Sequence, residues 1–251
     1  MGGNVIALWS LRNHELSQLS TEYEVSVGVI RQFERRTIEV EASDNGETFR
    51  LGYCFRPPTL WSSRRSTPLL VFLHGSGQRG NDNVQQLLGA ATAMCAAKLA
   101  DRYPCAMLVP QCPKHLNWSA PVSNNRDMLD MVLTMLDEVL KDTRIDPNRV
   151  YLCGYSMGGF GAWKLAAQSS RRFAAVVPIA GGSDPDLAGK LLNIPIWAVH
   201  SEDDDVVSVE ETRKIVEAIR DAGGAPKYLE FKDAGHGAWR EVFKVASPVL
   251  K

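Results

Sequence analysis

The chain has 251 residues, 45% of them hydrophobic and 23% charged, which is typical of one globular domain with an extensive core. Its formal net charge of −1 gives no electrostatic reason to expect nucleic acid or an anionic membrane as a partner. No apolar run approaches the ~18–20 residues that a membrane-spanning helix needs. Residues 1–6 lack the basic and apolar regions of a signal peptide. These observations predict a cytoplasmic protein that does not insert into membranes.

The cysteines argue against a disulfide framework and against a zinc site. There are five, an odd number, and no two are spaced as C-x-x-C. Several lie in apolar segments, where a thiol is usually a small core residue. We therefore expect no metal and no cofactor.

The N-terminal part of the chain has the weakest patterns. Residues 1–35 carry no chemical motif and are predicted to form an extension of unclear role, although residues 25–29 alternate like a strand. Residues 37–41 and 48–53 alternate apolar and polar side chains around the turn sequence at 44–46, which predicts a β-hairpin. The main domain is expected to span residues 36–251.

From residue 69 onward, strands that are apolar on both faces alternate with helical patterns, which is typical of a mostly parallel sheet flanked by helices. The predicted strands are 69–73, 106–110, 150–153, 174–179, 194–199 and 227–232. The predicted helices are 84–95, 128–140, one that opens with a capping box at 208–211 and ends at 223–224, and a short one that closes the chain. The fold class is therefore α/β.

One sequence carries a recognisable chemical pattern. Residues 154–158, Gly-Tyr-Ser-Met-Gly, fit the G-x-S-x-G turn that lifts a serine clear of a sheet between a strand and a helix. The glycines at 154 and 158 leave room where the strand and the helix cross. The amide of Met157, at the helix start, would point toward an oxyanion formed at Ser156. A chance match is the alternative, because glycine and serine are common.

A serine at such a turn needs an imidazole and an acid, which should follow later strands at the carboxyl edge of the sheet. His236 follows the last predicted strand, and the acidic run 202–205 follows the strand before it. Val206 and Val207 are expected to pack beneath the site, which favours Asp204 over Asp203 or Asp205. The alternatives are a solvated acidic loop and a calcium loop, but the ligand spacing of a calcium loop is absent.

The second oxyanion donor is expected in the glycine-rich loop 74–80, where Ser76 would supply its amide alongside Met157. His74, at the start of that loop, is predicted to hold the loop by a hydrogen bond rather than to act as a second base.

Together these segments resemble the serine α/β-hydrolases, and more closely the phospholipase/carboxylesterase and predicted-peptidase branch of esterases. The matching pieces are 73–77, 79–82, 110–113, 146–151, 154–159, 200–207 and 235–236, in the order expected for the family. The resemblance implies Ser156 as nucleophile, Asp204 as acid and His236 as base, with the amides of Ser76 and Met157 as oxyanion hole. This chain departs from the family at Ser201, where glycine is usual, and at Ser208, where proline is common.

The segment between the strands predicted at 174–179 and 194–199 is too short for a lid, so the site should be an open cleft. Its expected walls are the loop 111–123 with Trp118, the residues Arg79 and Asp82, and Trp239. Alternatively, the two tryptophans cap the core, and Arg79 and Asp82 form a pair that fixes their loop.

An open cleft favours a small-molecule ester substrate with a short acyl, aryl or sugar group. Acyl-protein thioesterase, lysophospholipase or peptidase activity and a non-catalytic binding module are the alternatives. The N-terminal segment leaves room for an interface in a homodimer.

Overall fold

A computed structural model describes residues 27–41, 48–57, 66–95, 97–123 and 126–244. Its centre is an eight-stranded sheet. The strands are β1 Glu34–Glu41, β2 Thr48–Arg56, β3 Thr67–Leu73, β4 Ala106–Pro110, β7 Ile145–Tyr155, β8 Ala175–Ile179, β9 Trp197–Ser201 and β10 Lys227–Phe231. Their order across the sheet is β1-β2-β4-β3-β7-β8-β9-β10. Strands β5 (Pro121–Ser123) and β6 (Arg126–Asp127) form a separate antiparallel pair.

The predicted hairpin forms one edge of this sheet. β1 and β2 pair antiparallel, and β2 pairs antiparallel with β4, whereas the pairs from β4 across to β10 are parallel. The turn predicted at 44–46 lies outside the described residues. The mostly parallel α/β architecture predicted from the sequence is confirmed.

Helices cover both faces of the sheet, so the central strands are buried on both sides. They are α1 Val27–Ile30, α2 Ala90–Ala93, α3 Ala97–Arg102, α4 Met128–Val139, α5 Met157–Gln168, α6 Glu210–Asp221 and α7 Trp239–Val242. Helices α4, α5 and α6 pack on one face, and α1, α2, α3 and α7 lie on the other. Each face therefore has its own hydrophobic cluster. Because the strands from β4 across to β10 run parallel, the loops that follow them lie together at one edge of the sheet.

The helix predicted at 84–95 is wrong as a single element. The chain forms a 3₁₀ turn at Gln85–Leu87 and then α2, and between them Gly89 has φ +77°. A left-handed residue breaks an α-helix, and glycine adopts this conformation at little cost. The apolar residues on which the prediction rested are nevertheless buried in the core.

The N-terminal prediction also changes. Residues 27–30 form the short helix α1 rather than a continuation of the strand suggested at 25–29, and Ile30 and Phe33 are buried in the core. When apolar and polar residues alternate over only five positions, the pattern does not distinguish a strand from a single helical turn with one buried face. The boundary predicted between residues 35 and 36 falls inside β1.

Helix α6 ends as predicted but does not begin with a capping box. Its N-cap is Val209, which is buried, has helical φ and ψ of −54° and −27°, and offers no capping side chain. Ser208 Oγ accepts from Glu210 N over 3.4 Å, so Ser208 contributes one long hydrogen bond to the first turn rather than the reciprocal pair of a capping box. At the other end, Gly223 has φ +90°, and its amide donates to the carbonyl of Arg220 over 2.9 Å.

Three further observations concern membranes, metals and disulfides. No helix in the described ranges is long and apolar enough to cross a membrane. The same residues contain no group of three or more metal-ligating side chains placed to hold an ion. All five cysteines are free thiols.

Candidate active site

Ser156 stands on the sharp turn between β7 and α5. Its backbone has φ +55° and ψ −121°, a combination that L-residues adopt only under constraint. The constraint comes from hydrogen bonds on both sides: the Ser156 amide donates to Ile179 O over 2.9 Å, and its carbonyl accepts from Gly159 N over 2.7 Å. The turn therefore holds the Ser156 side chain above the end of β8.

The glycines of the motif allow the close crossing that this turn requires. A Cβ on Gly154 would lie 2.0 Å from Gly158 O, and a Cβ on Gly158 would lie 1.9 Å from Leu73 O. Both distances are far below van der Waals contact, so a side chain at either position would push α5 away from β3 and β7.

His236 brings its imidazole to Ser156 from the loop after β10. Its Nε2 lies 2.9 Å from Ser156 Oγ, and its Nδ1 lies 2.8 Å from Asp204 Oδ2 and 3.0 Å from Oδ1. A carboxylate only accepts, so the ring proton resides on Nδ1 and the Nε2 lone pair faces the serine hydroxyl. This tautomer is the one that can remove the proton from Ser156.

Asp204 is the member of the acidic run that turns inward. Its side chain is fully buried, and Oδ1 accepts from the amides of Val206 (2.9 Å) and Val207 (3.0 Å). Burial raises the pKa of this carboxyl, but hydrogen bonds from Val207 N, His236 and Val206 N outweigh burial and hold the pKa below its ordinary value. The expected packing of Val206 beneath the site is wrong, because its side chain is 66% exposed. The two valines fix the turn through their amides.

A second imidazole, not predicted from the sequence, lies against the same carboxylate. His200 is completely buried, and its Nε2 is 3.2 Å from Asp204 Oδ2 and 3.0 Å from Val207 O. Its Nδ1 lies 2.7 Å from the hydroxyl of Thr212 on α6. Burial lowers the pKa of His200, which favours the neutral ring. A histidine at the end of a strand carried no sequence signal that could separate this position from an ordinary core residue.

The Ser76 and Met157 amides have the setting expected of an oxyanion hole. Each begins a helical turn, where backbone amides have no intrahelical acceptor. Neither donates to a backbone acceptor elsewhere in the described ranges. A Cβ on Gly75 would lie 3.4 Å from Ser156 Cβ, so the loop that carries Ser76 packs directly against the serine.

His74 fixes the direction of the Ser76 amide. Its Nε2 accepts from Cys112 N over 3.0 Å, so its proton lies on Nδ1 and is donated to Gly75 O over 2.7 Å. The Gly75 carbonyl and the Ser76 N–H belong to one planar peptide unit, so holding the carbonyl also aims the amide. Burial lowers the pKa of His74 to about 4, which keeps the ring neutral. The sequence-based expectation that His74 holds its loop agrees with these bonds.

Trp118 is not a wall of the cleft. It is 1% exposed, its Nε1 donates to His74 O over 3.0 Å, and its ring meets the His74 ring edge-on at 4.9 Å. The small residues of α5 leave a recess for it, since a Cβ on Gly161 would lie 2.9 Å from Trp118 Cβ. The alternative reading, in which Trp118 caps the core, is correct.

Arg79 and Asp82 do not pair with each other. The Arg79 guanidinium donates to Ser76 O over 3.0 Å and to Leu116 O over 3.3 Å. Asp82 instead accepts from the amide of Val84 over 2.8 Å and from Nε2 of Gln111 over 2.9 Å. Arg79 is half-buried within the loop that carries Ser76, whereas Asp82 holds its own turn and links it to the segment after β4.

Trp239 contacts Tyr155, which in turn packs against His236. It packs edge-on against Tyr155 with 6.3 Å between centroids, and Tyr155 lies 5.1 Å from the His236 ring. Burial, and then the charge of Asp204, raise the pKa of Tyr155 to about 12, so its phenol stays neutral. Tyr155 was missed from the sequence, although it is the variable residue immediately before the serine.

Together, the strand order, the elbow at Ser156 and the Ser156–His236–Asp204 arrangement at the carboxyl edge define the α/β-hydrolase fold. A family model described as "Dienelactone hydrolase family" matches residues 115–243, and the chain belongs to that family. The resemblance to α/β-hydrolase serine esterases predicted from the sequence is confirmed.

Individual proteins similar to this chain include esterases. The chain is 27% identical over 168 residues to the bifunctional acetylxylan esterase/xylanase of Neocallimastix patriciarum. The matched region covers 66% of this chain and 24% of that protein. It is 30% identical over 119 residues to poly(3-hydroxyalkanoate) depolymerase C of Paucimonas lemoignei, covering 47% of this chain and 28% of that protein. Among solved structures, a thermostable esterase is 32% identical with a TM-score of 0.75, covering 86% of this chain and 60% of that one. The chain thus spans less than half the length of these two curated relatives.

Proposed function

We propose that this chain is a carboxylesterase-type serine hydrolase in which Ser156 is the nucleophile, His236 the base and Asp204 the acid. The observation that carries the proposal is the continuous path from Ser156 Oγ through both nitrogens of His236 to Asp204. A binding module would have no use for a strained serine hydrogen-bonded to an imidazole whose tautomer a buried carboxylate fixes.

The reaction proceeds by acyl transfer in two halves. His236 Nε2 takes the proton of Ser156 as Oγ attacks the ester carbonyl, and the amides of Ser76 and Met157 bind the oxyanion. The imidazolium then protonates the departing alcohol, leaving an acyl-enzyme. In the second half, His236 takes a proton from water, the hydroxide attacks the acyl carbonyl, and the proton returns to Ser156 as the acid leaves.

The substrate we favour is an ester with a short acyl, aryl or sugar group. Between β8 and β9, the only regular element is a 3₁₀ turn at Pro185–Lys190, so this segment provides no lid over Ser156. A relative that is named for action on acetylxylan supports a small acyl group on a sugar. Faster hydrolysis of p-nitrophenyl palmitate than of the acetate and butyrate esters would contradict this preference.

Covalent labelling with a fluorophosphonate probe tests the proposal. We expect one adduct on the wild-type protein, located at Ser156 by mass spectrometry and absent from Ser156→Ala. Ser169→Ala, at the far end of the same helix, is the matched control and should label like the wild type. His236→Ala should label much more slowly, because Oγ then has no base.

Folded wild-type protein that does not react with the probe would refute the proposal and favour the non-catalytic binding module. If labelling succeeds, parallel assays on oxygen esters, thioesters and p-nitroanilides separate esterase from thioesterase and peptidase activity. We expect the oxygen esters to be hydrolysed fastest.

A further inference from the structure

We propose that Asp203 and Ser201 are positioning residues for His236, acting on the backbone of the loop that carries it. The proposal rests on the function proposed above, in which His236 is the base. Asp203 immediately precedes the acid Asp204, so one turn would hold both the ring and the backbone of the same histidine.

The two side chains bind the two amides that precede His236. Asp203 Oδ1 accepts from Gly235 N over 2.8 Å, and Ser201 Oγ accepts from Ala234 N over 3.0 Å. The Ser201 hydroxyl in turn donates to Asp203 Oδ1 over 2.6 Å. These three hydrogen bonds form a closed link, which we call the 201/203 clamp.

The clamp begins where the sheet ends. Ser201 and Phe231 are the last partners in the parallel register of β9 and β10, and Glu202 N donates to Phe231 O over 2.8 Å. Beyond that point, the structure shows no main-chain bond between the acidic turn and residues 234–236. The side chains of Ser201 and Asp203 therefore continue the connection between the two loops to the residue before His236.

The geometry of Gly235 shows why such a link is useful. Gly235 has φ +54°. If its amide were not hydrogen-bonded, this residue would have more backbone freedom than any other residue type at the same position. The bond from its amide to Asp203 removes part of that freedom next to the catalytic ring. The Ser201 hydroxyl, and then the Gly235 amide, lower the pKa of Asp203, so the acceptor remains charged at neutral pH.

A comparison with the neighbouring Asp205 shows that Asp203 is not simply one of several solvated carboxylates. Asp205 is also exposed, but it forms no hydrogen bond with another described residue, so the link is particular to Asp203. At position 201, a glycine would offer no oxygen to the Ala234 amide. Ser201 thus supplies half of the clamp.

The test measures the rate of fluorophosphonate labelling at Ser156, kcat and KM for p-nitrophenyl acetate, and backbone amide exchange in the peptide containing residues 234–235. A displaced imidazole should slow the chemistry without weakening binding, so Asp203→Ala should lower the labelling rate and kcat about 10-fold and leave KM unchanged. Asp203→Asn keeps an oxygen for the Gly235 amide and should recover most of the loss. Asp205→Ala is the matched control and should behave like the wild type.

Ser201→Gly provides a second, independent break in the clamp. It should accelerate exchange at residues 234–235 and slow labelling by a few-fold, because it removes the acceptor for one amide and a donor to Asp203. Circular dichroism establishes that each variant is folded.

The outcomes separate this proposal from the one on which it rests. Wild-type protein that labels at Ser156, together with Asp203→Ala and Ser201→Gly proteins that label equally fast, would overturn the positioning role and leave the hydrolase intact. Wild-type protein that does not label at all would instead refute the hydrolase, and with it any catalytic role for the clamp. If Asp205→Ala lowered the labelling rate and kcat as much as Asp203→Ala, the proposal would also be overturned. The loss would then result from removing a negative charge and not from breaking the clamp.

Discussion

Replacing the buried acid with its amide, Asp204→Asn, should nearly abolish activity while leaving the fold in place. In the structure, Asp204 Oδ1 accepts the two amides that shape its turn, and Oδ2 faces Nδ1 of His236 at 2.8 Å. An asparagine can keep its oxygen on the two amides, which places its NH₂ group against Nδ1. Because two donors cannot face each other, His236 shifts its proton to Nε2.

The shifted proton points at Ser156 Oγ, and the ring can no longer act as a base. Loss of the correct tautomer in a serine–histidine–acid site lowers kcat about 10⁴-fold, which corresponds to ~5.5 kcal/mol of barrier. The amides of Ser76 and Met157, which we propose bind the oxyanion, are untouched, so activity above the uncatalysed rate should remain. KM should change little, because Asp204 is buried behind His236 and does not face the substrate.

The assay is steady-state hydrolysis of p-nitrophenyl acetate, with fluorophosphonate labelling as a second readout and thermal unfolding as a check on the fold. Asp203→Asn makes the same chemical change one residue away and should retain most of the activity. An Asp204→Asn protein within about tenfold of the wild-type kcat would refute the reasoning, because a wrong tautomer costs far more than that.

Three further predictions concern the scaffold. Because burial lowers the pKa of His74 to about 4 from 6.5, the unfolded chain binds the proton first as pH falls, so the contribution of His74 to the free energy of unfolding should decline by about 3 kcal/mol between pH 6.5 and 4. Urea titrations should therefore show a shallower decline of stability with falling pH in His74→Gln than in the wild type. Gly158→Ala should not yield stable protein, because its methyl group would lie 1.9 Å from a backbone oxygen of β3, whereas Gly189→Ala meets nothing within 4 Å and should retain the wild-type melting temperature. Trp118→Phe should lose about 1–3 kcal/mol of stability, because it leaves the buried His74 carbonyl without this donor, and ester KM values that change with it would contradict the buried position assigned to Trp118.

Local patterns predicted the elements whose stability depends on their own residues. Strand β4 is an uninterrupted apolar run and is buried throughout, and α4 shows the helical spacing that places one stripe in the core. The same reasoning failed at residues 84–95. There the apolar spacing predicted which residues are buried, but Gly89 divides the chain into two short turns. Periodicity reports which side chains face the core, and it does not report whether the backbone between them is continuous.

Local patterns likewise predicted some features of the candidate site and not others. The G-x-S-x-G pattern requires a strand–turn–helix at Ser156, because only glycine fits the crossing at 154 and 158. Chain order and strand ends then predicted His236 as the base and limited the predicted acid to a few neighbouring carboxylates. Asp204 was favoured because Val206 and Val207 were expected to pack under the site. In the structure, the amides of these valines, and not their side chains, bind the Asp204 carboxylate.

The sequence by itself determined the α/β class, the order of the strands along the chain and the turn at Ser156, because each depends on the residue types within a short segment. Only the tertiary structure decided that His200 lies against Asp204, that Tyr155 packs on His236 and that Trp118 is enclosed by the core. It also brought Ser156 to His236 across 80 residues, and Asp203 to Gly235 across 32. Such contacts arise where loops from neighbouring parallel strands converge at one edge of the sheet, and no local pattern records which side chains then meet.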